Sequence, residues 1–353
     1  MPVIDMHCDT ISEIHNTRLL QGEAQLRENE YSIDLLKMKE GGYLCQNFAL
    51  FTYLGPWLND FFTDLSRMDE KEQTLFKLMR EKYPTPFDYA MALSDTFDRE
   101  MEKNRDIIRL VLTAKDILEN QKNGYLSALK TIEEGAIYGG SVDNLKKFYE
   151  KGARMTTIVW NYPNELGFPN HIDRKSGTAS PDTVNGLTAT GKEFVEICFD
   201  MGMIVDLSHL NDAGIHDVFA LSGKKHPIVA SHSNARAVTG HPRNLTEEML
   251  RSLGDCGGVA GVNFCDAFMN DRHDNLTTID DMVRHIRHIE NVAGIEAVGL
   301  GSDFDGIGNA VEFGNCSKIG RLAEALERAG YSISAIEKIF YKNVLRVYGD
   351  ILG

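Results

Sequence analysis

Between residues 188 and 306 the sequence alternates between amphipathic helical segments and short apolar segments, and this alternation limits the possible folds more than any other feature. Each short apolar segment is a predicted strand, and each is followed by a predicted helix. Such alternation predicts a parallel sheet, because parallel neighbours must be joined by crossover connections. With the strands predicted earlier in the chain the total is eight, the number in a closed (β/α)₈ barrel of the TIM type.

The predicted strands are apolar or β-branched segments bounded by polar or glycine-containing turns. They cover residues 3–6, 43–53, 125–132, 154–160, 203–207, 227–230, 258–262 and 297–301. Residues 60–122 are additional and mostly of helical pattern, and residues 161–187 form a predicted long loop. The sequence therefore predicts a distorted barrel with a helical insertion after strand 2. No linker interrupts it, so residues 1–353 are interpreted as a single metal-dependent hydrolase barrel domain.

Charge and composition exclude several classes of partner. Lys and Arg total 37 against 52 Asp and Glu, a net charge of −15, which argues against binding of nucleic acid or of an anionic membrane surface. No run approaches the ~18 apolar residues of a membrane span. The six cysteines are scattered without a CxxC pair, which favours reduced thiols, and no signal peptide is recognised. We therefore expect a cytoplasmic protein.

Residues able to bind metals or transfer protons follow the predicted strands. In a parallel barrel the carboxyl ends of all strands face the same side, where barrel enzymes place their active sites. The candidate residues at these ends are His7 and Asp9 after strand one, Glu133 after strand three, His209 after strand five, His232 after strand six and Asp303 after strand eight. A histidine that merely packs in a core need not lie at a strand end, so the coincidence favours a metal centre.

Three histidines and two carboxylates give five candidate ligands, His7, Asp9, Glu133, His209 and His232. One catalytic zinc ion takes only three protein ligands plus water, so two metal ions that share a bridging carboxylate fit better. Such a pair activates a bridging hydroxide near neutral pH. The residues alone leave the bridge open, because Glu134 adjoins Glu133 and could fill the same role.

Six short motifs along nearly the whole chain resemble those of the membrane (renal) dipeptidase family of zinc peptidases. Each motif is weak alone, but six in the family's order and approximate spacing are specific. They are Ile4-Asp5-Met6-His7-Cys8-Asp9, Thr131-Ile132-Glu133-Glu134-Gly135, Val205-Asp206-Leu207-Ser208-His209, Ser231-His232-Ser233-Asn234, His241-Pro242-Arg243-Asn244 and Gly301-Ser302-Asp303-Phe304-Asp305-Gly306. By this resemblance the chain is similar to the soluble microbial-type members.

The resemblance implies a role for each candidate residue. His7 and Asp9 would hold one zinc ion, His209 and His232 would hold the other, and Glu133 would bridge the two. Asp303 would be the acid/base that transfers the proton, and Arg243 would bind the C-terminal carboxylate of the substrate. The implied activity is hydrolysis of small dipeptides, including those with a C-terminal D-residue, with two Zn²⁺ per chain. We also expect a homo-oligomer, a dimer.

Two positions carry alternatives. Animal members of the family have a histidine after strand four that is thought to stabilise the oxyanion, and alignment places Trp160 there, followed by Asn161. Either could donate a neutral hydrogen bond to the oxyanion, or the zinc ions could stabilise it alone. The indole of Trp160 should also narrow the pocket, or Trp160 could pack under the 161–187 loop without meeting substrate. For the substrate carboxylate, His241 and Arg236 are alternatives to Arg243.

Two other functions are considered. One is an amidohydrolase-like barrel acting on N-acyl amino acids, lactams or cyclic amides, many of which begin with HxH where this chain has His7-Cys8-Asp9. The other is a binding or scaffold barrel with a degenerate site. A missing ligand would indicate that second alternative, and no expected ligand is missing from the sequence.

Overall fold

The computed structural model describes residues 1–58, 68–173, 178–272 and 274–353. Its main sheet is a closed ring of eight parallel strands, in which β1 pairs with both β2 and β8. The strands are β1 (Val3–Cys8), β2 (Tyr43–Phe51), β3 (Leu126–Glu133), β4 (Ala153–Thr157), β5 (Ile204–Asp206), β6 (Val229–Ala230), β7 (Val259–Val262) and β8 (Val298–Leu300). The predicted α/β barrel is confirmed.

Helices surround the ring. Their bounds are Thr10–Leu19, Leu35–Gly41, Glu70–Lys82, Pro86–Lys103, Ala114–Lys122, Val142–Glu150, Ala189–Met201, Asp212–Ser222, Glu247–Asp255, Asp266–Met269, Ile279–Ala293, Gly320–Arg328, Ile333–Glu337 and Asn343–Leu352. Several begin at a side chain that accepts a backbone N–H of the first turn, as Thr188, Asn211 and Thr246 do. Such caps stabilise a helix by about 1 kcal/mol each.

The insertion after β2 distorts the barrel as predicted. It contains the helices Glu70–Lys82 and Pro86–Lys103, a short strand at Ile108–Leu110 and the helix Ala114–Lys122. The short strand pairs with the first half of β3, whereas β4 pairs with its second half. The start of the predicted helical pattern, which included Phe61 and Leu65, lies outside the described residues.

The structure adds three local features to the sequence pattern. Residues 10–19 form a helix that the pattern does not reveal, because its buried face carries Thr10, Ser12 and His15 beside Ile11 and Ile14, which hides the apolar periodicity. The predicted 161–187 loop contains an antiparallel pair, His171–Ile172 with Ala179–Ser180. Near the end of the chain, a π-helical segment at Lys338–Lys342 separates the helices Ile333–Glu337 and Asn343–Leu352.

The barrel interior is filled by side chains that the strands direct inward, among them Ile4 and Met6 of β1 and Ile204 of β5. The C-terminal helix adds Val347 and Tyr348 to the same buried cluster. A packed interior leaves the carboxyl ends of the strands as the place for a site. Among the described residues, no helix combines the length and the apolar content needed to cross a bilayer.

Candidate metal centre and active site

The five predicted metal ligands meet at the carboxyl ends of β1, β3, β5 and β6. His7 Nε2 lies 3.2 Å from Glu133 Oε2 and 3.6 Å from the Asp9 carboxylate. The other oxygen of Glu133, Oε1, lies 3.0 Å from His209 Nε2 and 3.6 Å from His232 Nε2. The two oxygens of one carboxylate therefore face two different sets of side chains, one on each side of the centre.

The polar atoms of this group are arranged to bind cations rather than to form hydrogen bonds with one another. His7 Nε2 and Asp9 Oδ1 are buried without a hydrogen-bond partner, although unpaired buried polar atoms are costly and rare. The ring nitrogens Nε2 of His209 and His232 face each other at 3.0 Å. His7, Asp9 and Glu133 form one set with donor atoms within 4.8 Å, and Glu133, His209 and His232 form another. The donor set thus suits two metal ions that share Glu133.

The structure distinguishes the roles of the two adjacent glutamates, Glu133 and Glu134. The Glu134 carboxylate accepts hydrogen bonds from Ala136 N at 2.8 Å and from Asn164 Nδ2 at 2.9 Å. Glu134 also has a left-handed backbone, with φ of 96°. Its carboxylate caps the following turn, so Glu133 is the glutamate of the ligand group.

A buried hydrogen-bond chain orients the ring of His232. Ser231 Oγ donates to Asp206 Oδ2 at 2.5 Å and lies 2.7 Å from His232 Nδ1, so the ring donates from Nδ1 and leaves Nε2 free for a ligand. Asp206, at the end of β5, therefore anchors Ser231 and, through Ser231, the ring of His232. On the other side of the ring of strands, Ser302 Oγ donates to Asp5 Oδ2 at 2.6 Å without touching an imidazole.

His209 is oriented by Asn161, whose Oδ1 lies 3.2 Å from His209 Nδ1. His209 has a φ of 71°, a left-handed conformation that is costly for a residue other than glycine. The side chain of Asn161 is thus engaged with a ligand ring.

Burial sets the charge state of the centre. It lowers the pKa of His209 to about 3, helped by the Arg243 cation, and it lowers the pKa of His232 well below the ordinary value. Burial also lowers the pKa of His7, but the Glu133 and Asp9 carboxylates outweigh it and hold that pKa above the ordinary value. Burial, with the charge of Glu133, raises the pKa of Asp9 to about 6. His209 and His232 are thus in the neutral form that binds metals.

Asp303 lies at the edge of this group, and with His7 and His232 it forms a third set of donor atoms within 4.8 Å. Its Oδ1 is 3.8 Å from His7 Nε2, and its Oδ2 accepts a hydrogen bond from Asn263 Nδ2 at 2.9 Å. Burial raises the pKa of Asp303 to about 7, which is near the optimum for a proton-transferring group at neutral pH. Gly306 lets the following loop approach, because a Cβ there would lie 2.0 Å from Asp9 Oδ2 and 2.7 Å from Asp303 Oδ1.

A cavity of about 450 Å³ opens above the centre and includes Glu133, His209 and Asp303 in its wall. Arg243 also lines it. The Nη1 of Arg243 is 3.4 Å from Ser233 Oγ, and its Nε is buried without a hydrogen-bond partner. A guanidinium with unused donors at a cavity wall is suited to binding a carboxylate.

The two alternatives to Arg243 differ in position. Arg236 forms a two-pronged ion pair with Asp212, at 2.6 and 2.7 Å, and it is not among the residues that line the cavity, which makes it a weaker candidate than Arg243 for a substrate anion. His241 does line the cavity, but its Nδ1 accepts the backbone N–H of Arg243. Burial lowers the pKa of His241 to about 4, so it is neutral at pH 7.

Trp160 and Asn161 follow β4 and both line the cavity. The ring centroid of Trp160 is 5.0 Å from that of Phe51 and 5.7 Å from that of His209. Trp160 therefore forms part of the cavity wall. Its contact with substrate stays a prediction.

Three residues near the site were missed by sequence reasoning. Asn263 holds Asp303, whereas Phe51 and Glu13 line the cavity. Glu13 could have been found only by recognising the helix Thr10–Leu19, since four residues separate it from Asp9 and positions i and i+4 share a helix face.

A closed α/β barrel with a candidate two-metal centre at the carboxyl ends of its strands defines a class, the metal-dependent hydrolases of the barrel type. The model of the family described as membrane dipeptidase, peptidase family M19, matches residues 1–352. The chain belongs to this family, and it is a metallo-dipeptidase.

Relatives and solved structures agree with this assignment. An uncharacterized dipeptidase of Schizosaccharomyces pombe is 35% identical over 98% of this chain and 80% of its own length. An uncharacterized protein of Klebsiella pneumoniae, from the pqqA 5' region, is 37% identical over 69% of this chain and 89% of its own length. A solved metallopeptidase from Rhodobacter sphaeroides, liganded with a phosphinate mimic of the dipeptide L-Ala-D-Ala, is 26% identical with a TM-score of 0.82 and 99% coverage of both chains.

Proposed function

We propose that this protein hydrolyses small dipeptides at a centre that holds two zinc ions. The observation that carries the proposal is the division of the Glu133 carboxylate, with Oε2 facing His7 and Oε1 facing His209 and His232. A carboxylate that bridges two ions needs this arrangement. Neutral imidazole and carboxylate ligands are those that zinc prefers.

In this proposal His7 and Asp9 hold one ion, His209 and His232 hold the other, and Glu133 is shared. Two zinc ions bound there would supply Lewis-acid activation of water and of the peptide carbonyl. The charge balance supports an anionic substrate, because two divalent ions outweigh the two ligand carboxylates. One substrate carboxylate and a hydroxide would neutralise the positive charge that remains.

Asp303 is the proposed proton carrier. Its carboxylate accepts the proton of the attacking water and passes it to the leaving amine, a role that its place beside His7 in the cavity wall supports. Asn263 holds Oδ2, which leaves Oδ1 directed toward the metal centre.

Arg243 and Trp160 position the substrate in this proposal. The guanidinium of Arg243, which lines the cavity, binds the C-terminal carboxylate. Trp160 narrows the cavity toward small side chains, and Asn161 holds His209. A cavity of about 450 Å³ is of the size that encloses a small molecule such as a dipeptide. The ligand of the Rhodobacter sphaeroides protein, a mimic of L-Ala-D-Ala, supports a C-terminal D-residue.

The test combines metal analysis with a screen of L-L, L-D and D-D dipeptides. Protein loaded with zinc and then dialysed should retain two ions per chain, and a chelator should abolish hydrolysis. The variant Asp303→Asn should lose at least 100-fold in kcat while it keeps both ions. Retention of one ion only, or hydrolysis that survives complete metal removal, would refute the two-metal proposal. Loss of metal in Asp303→Asn would instead make Asp303 a ligand.

A further inference from the structure

Glu13 is an acidic residue of the cavity wall for which the proposed hydrolysis has no use. It lies one turn after Asp9 on the helix Thr10–Leu19, and its N–H donates to Asp9 O at 3.1 Å. Asp9 and Glu13 both line the cavity that also contains Arg243.

The carboxylate of Glu13 has no hydrogen bond or ion pair with any residue that the structure describes. Burial raises the pKa of Glu13 to about 7, and the Lys71 cation only partly offsets this. A half-buried carboxylate without a partner in a cavity wall is costly unless a cation joins it. The surroundings of Glu13 therefore favour a positively charged group from outside the chain.

The order of strands separates Glu13 and Arg243 around the cavity. Glu13 follows β1, and its helix packs on β2. Arg243 follows β6, which is three strands from β1 and four from β2 in the ring of eight. Glu133 of the candidate ligand group lines the same cavity. The cavity wall thus carries the Glu13 anion and the Arg243 cation at different places around the ring.

A dipeptide has the complementary distribution of charge, with a carboxylate at one end and an ammonium at the other. With its carboxylate on Arg243 and its peptide bond over the centre, its N-terminal residue extends toward Glu13. We propose that Glu13 binds an ammonium group of the N-terminal residue of the substrate. This inference rests on the proposed dipeptidase function and names the residue that selects the N-terminal half.

Two groups could supply this ammonium, the α-amine of any dipeptide or the side chain of an N-terminal lysine. The experiment compares wild type with Glu13→Gln on alanyl-alanine, norleucyl-alanine and lysyl-alanine. A carboxylate–ammonium hydrogen bond at a partly buried site corresponds to a loss of about 10- to 100-fold in kcat/KM. Loss of this size on all three substrates assigns the α-amine, and loss on lysyl-alanine alone assigns the side chain.

N-propionyl-alanine, which lacks the α-amine, is used as a competing ligand, and its inhibition constant should differ by less than twofold between wild type and Glu13→Gln. Glu119→Gln is the matched control, because Glu119 is exposed, carries the same charge and does not line the cavity. It should leave all values unchanged. Metal content is measured in every variant.

Changes below twofold on all three substrates would overturn the inference. It is also overturned if Glu13→Gln loses metal, or if N-propionyl-alanine weakens as much as alanyl-alanine does, since either result makes Glu13 a support of the centre. If metal-loaded wild type hydrolyses none of the dipeptides, the proposed function itself fails. That result differs from active wild type with an unaffected Glu13→Gln, which refutes only the role of Glu13.

Discussion

Replacing Ser231 with alanine should weaken the binding of one metal ion while sparing the other. Ser231 Oγ joins Asp206 Oδ2, at 2.5 Å, to the Nδ1 of His232, at 2.7 Å. The variant leaves that ring nitrogen without its acceptor and the ring free to turn. Loss of such an outer partner costs about 10- to 100-fold in metal affinity, roughly 1.4–2.8 kcal/mol. The ion held by His7 and Asp9 should be affected less than threefold.

Ser302→Ala is the matched control for this prediction. Ser302 Oγ donates to the buried Asp5 carboxylate at 2.6 Å and lies 3.2 Å from the backbone carbonyl of His7, but it has no hydrogen bond to a histidine ring. Each variant removes one charge-assisted hydrogen bond, so the free energy of unfolding of each metal-free protein should fall by about 1.5–3 kcal/mol. Only Ser231→Ala should also lose metal affinity.

Zinc titration against a chromophoric chelator resolves two binding constants per chain, and urea unfolding of the metal-free proteins gives the two stabilities. Equal losses of metal affinity in the two variants would show that the effect is one of stability alone. Unchanged affinity in Ser231→Ala, despite the lower stability, would refute the orientation of His232 by Asp206 and Ser231.

Three further predictions follow from the cavity and the core. Arg243→Lys should lower kcat/KM for dipeptides at least tenfold more than for their C-terminal amides, because lysine cannot form two parallel hydrogen bonds with a carboxylate; equal losses would refute the assignment. Trp160→Ala should widen selectivity toward larger residues and lower kcat on small ones, and an unchanged rank order across a dipeptide panel would leave Trp160 as packing only. His15 is buried, and burial with nearby cations lowers its pKa from 6.5 to about 4. As pH falls, His15 therefore takes up a proton in the unfolded chain before it does so in the folded protein. The free energy of unfolding declines below pH 6.5 for this reason. In urea unfolding of the metal-free proteins, wild type should lose about 2 kcal/mol more than His15→Gln between pH 7 and pH 5; parallel losses would contradict the buried neutral state.

The sequence predicted the barrel, and it predicted that the candidate ligands lie close together, because both depend on local patterns. Each of His7, Glu133, His209 and His232 follows an apolar segment, and the shared direction of parallel strands brings such ends together without knowledge of side-chain contacts. The choice of Glu133 over Glu134 required more than spacing, and the family pattern supplied it. The structure agrees through the backbone of Glu134, whose φ of 96° turns its side chain toward Asn164.

Other parts of the site depend on contacts between distant segments. The pairing of Asp206 with Ser231 requires β5 and β6 to be neighbours in a specific register, and the contact of Asn263 with Asp303 requires the same of β7 and β8. The helix that carries Glu13 was missed because its buried face is partly polar. The predictions of one domain, a dimer and a cytoplasmic location stay predictions.

The backbone of the site has a consequence for engineering. His209 and Asp303 both hold left-handed conformations, with φ of 71° and 61°, at a cost of about 1 kcal/mol or more each relative to glycine. Selection for heat tolerance alone would therefore favour glycine at both positions. Because glycine lacks the imidazole of His209 and the carboxylate of Asp303, we expect such variants to lose hydrolysis. A laboratory evolution programme for a heat-resistant enzyme should hold these two codons constant and take its gains from caps, loops and the outer helices.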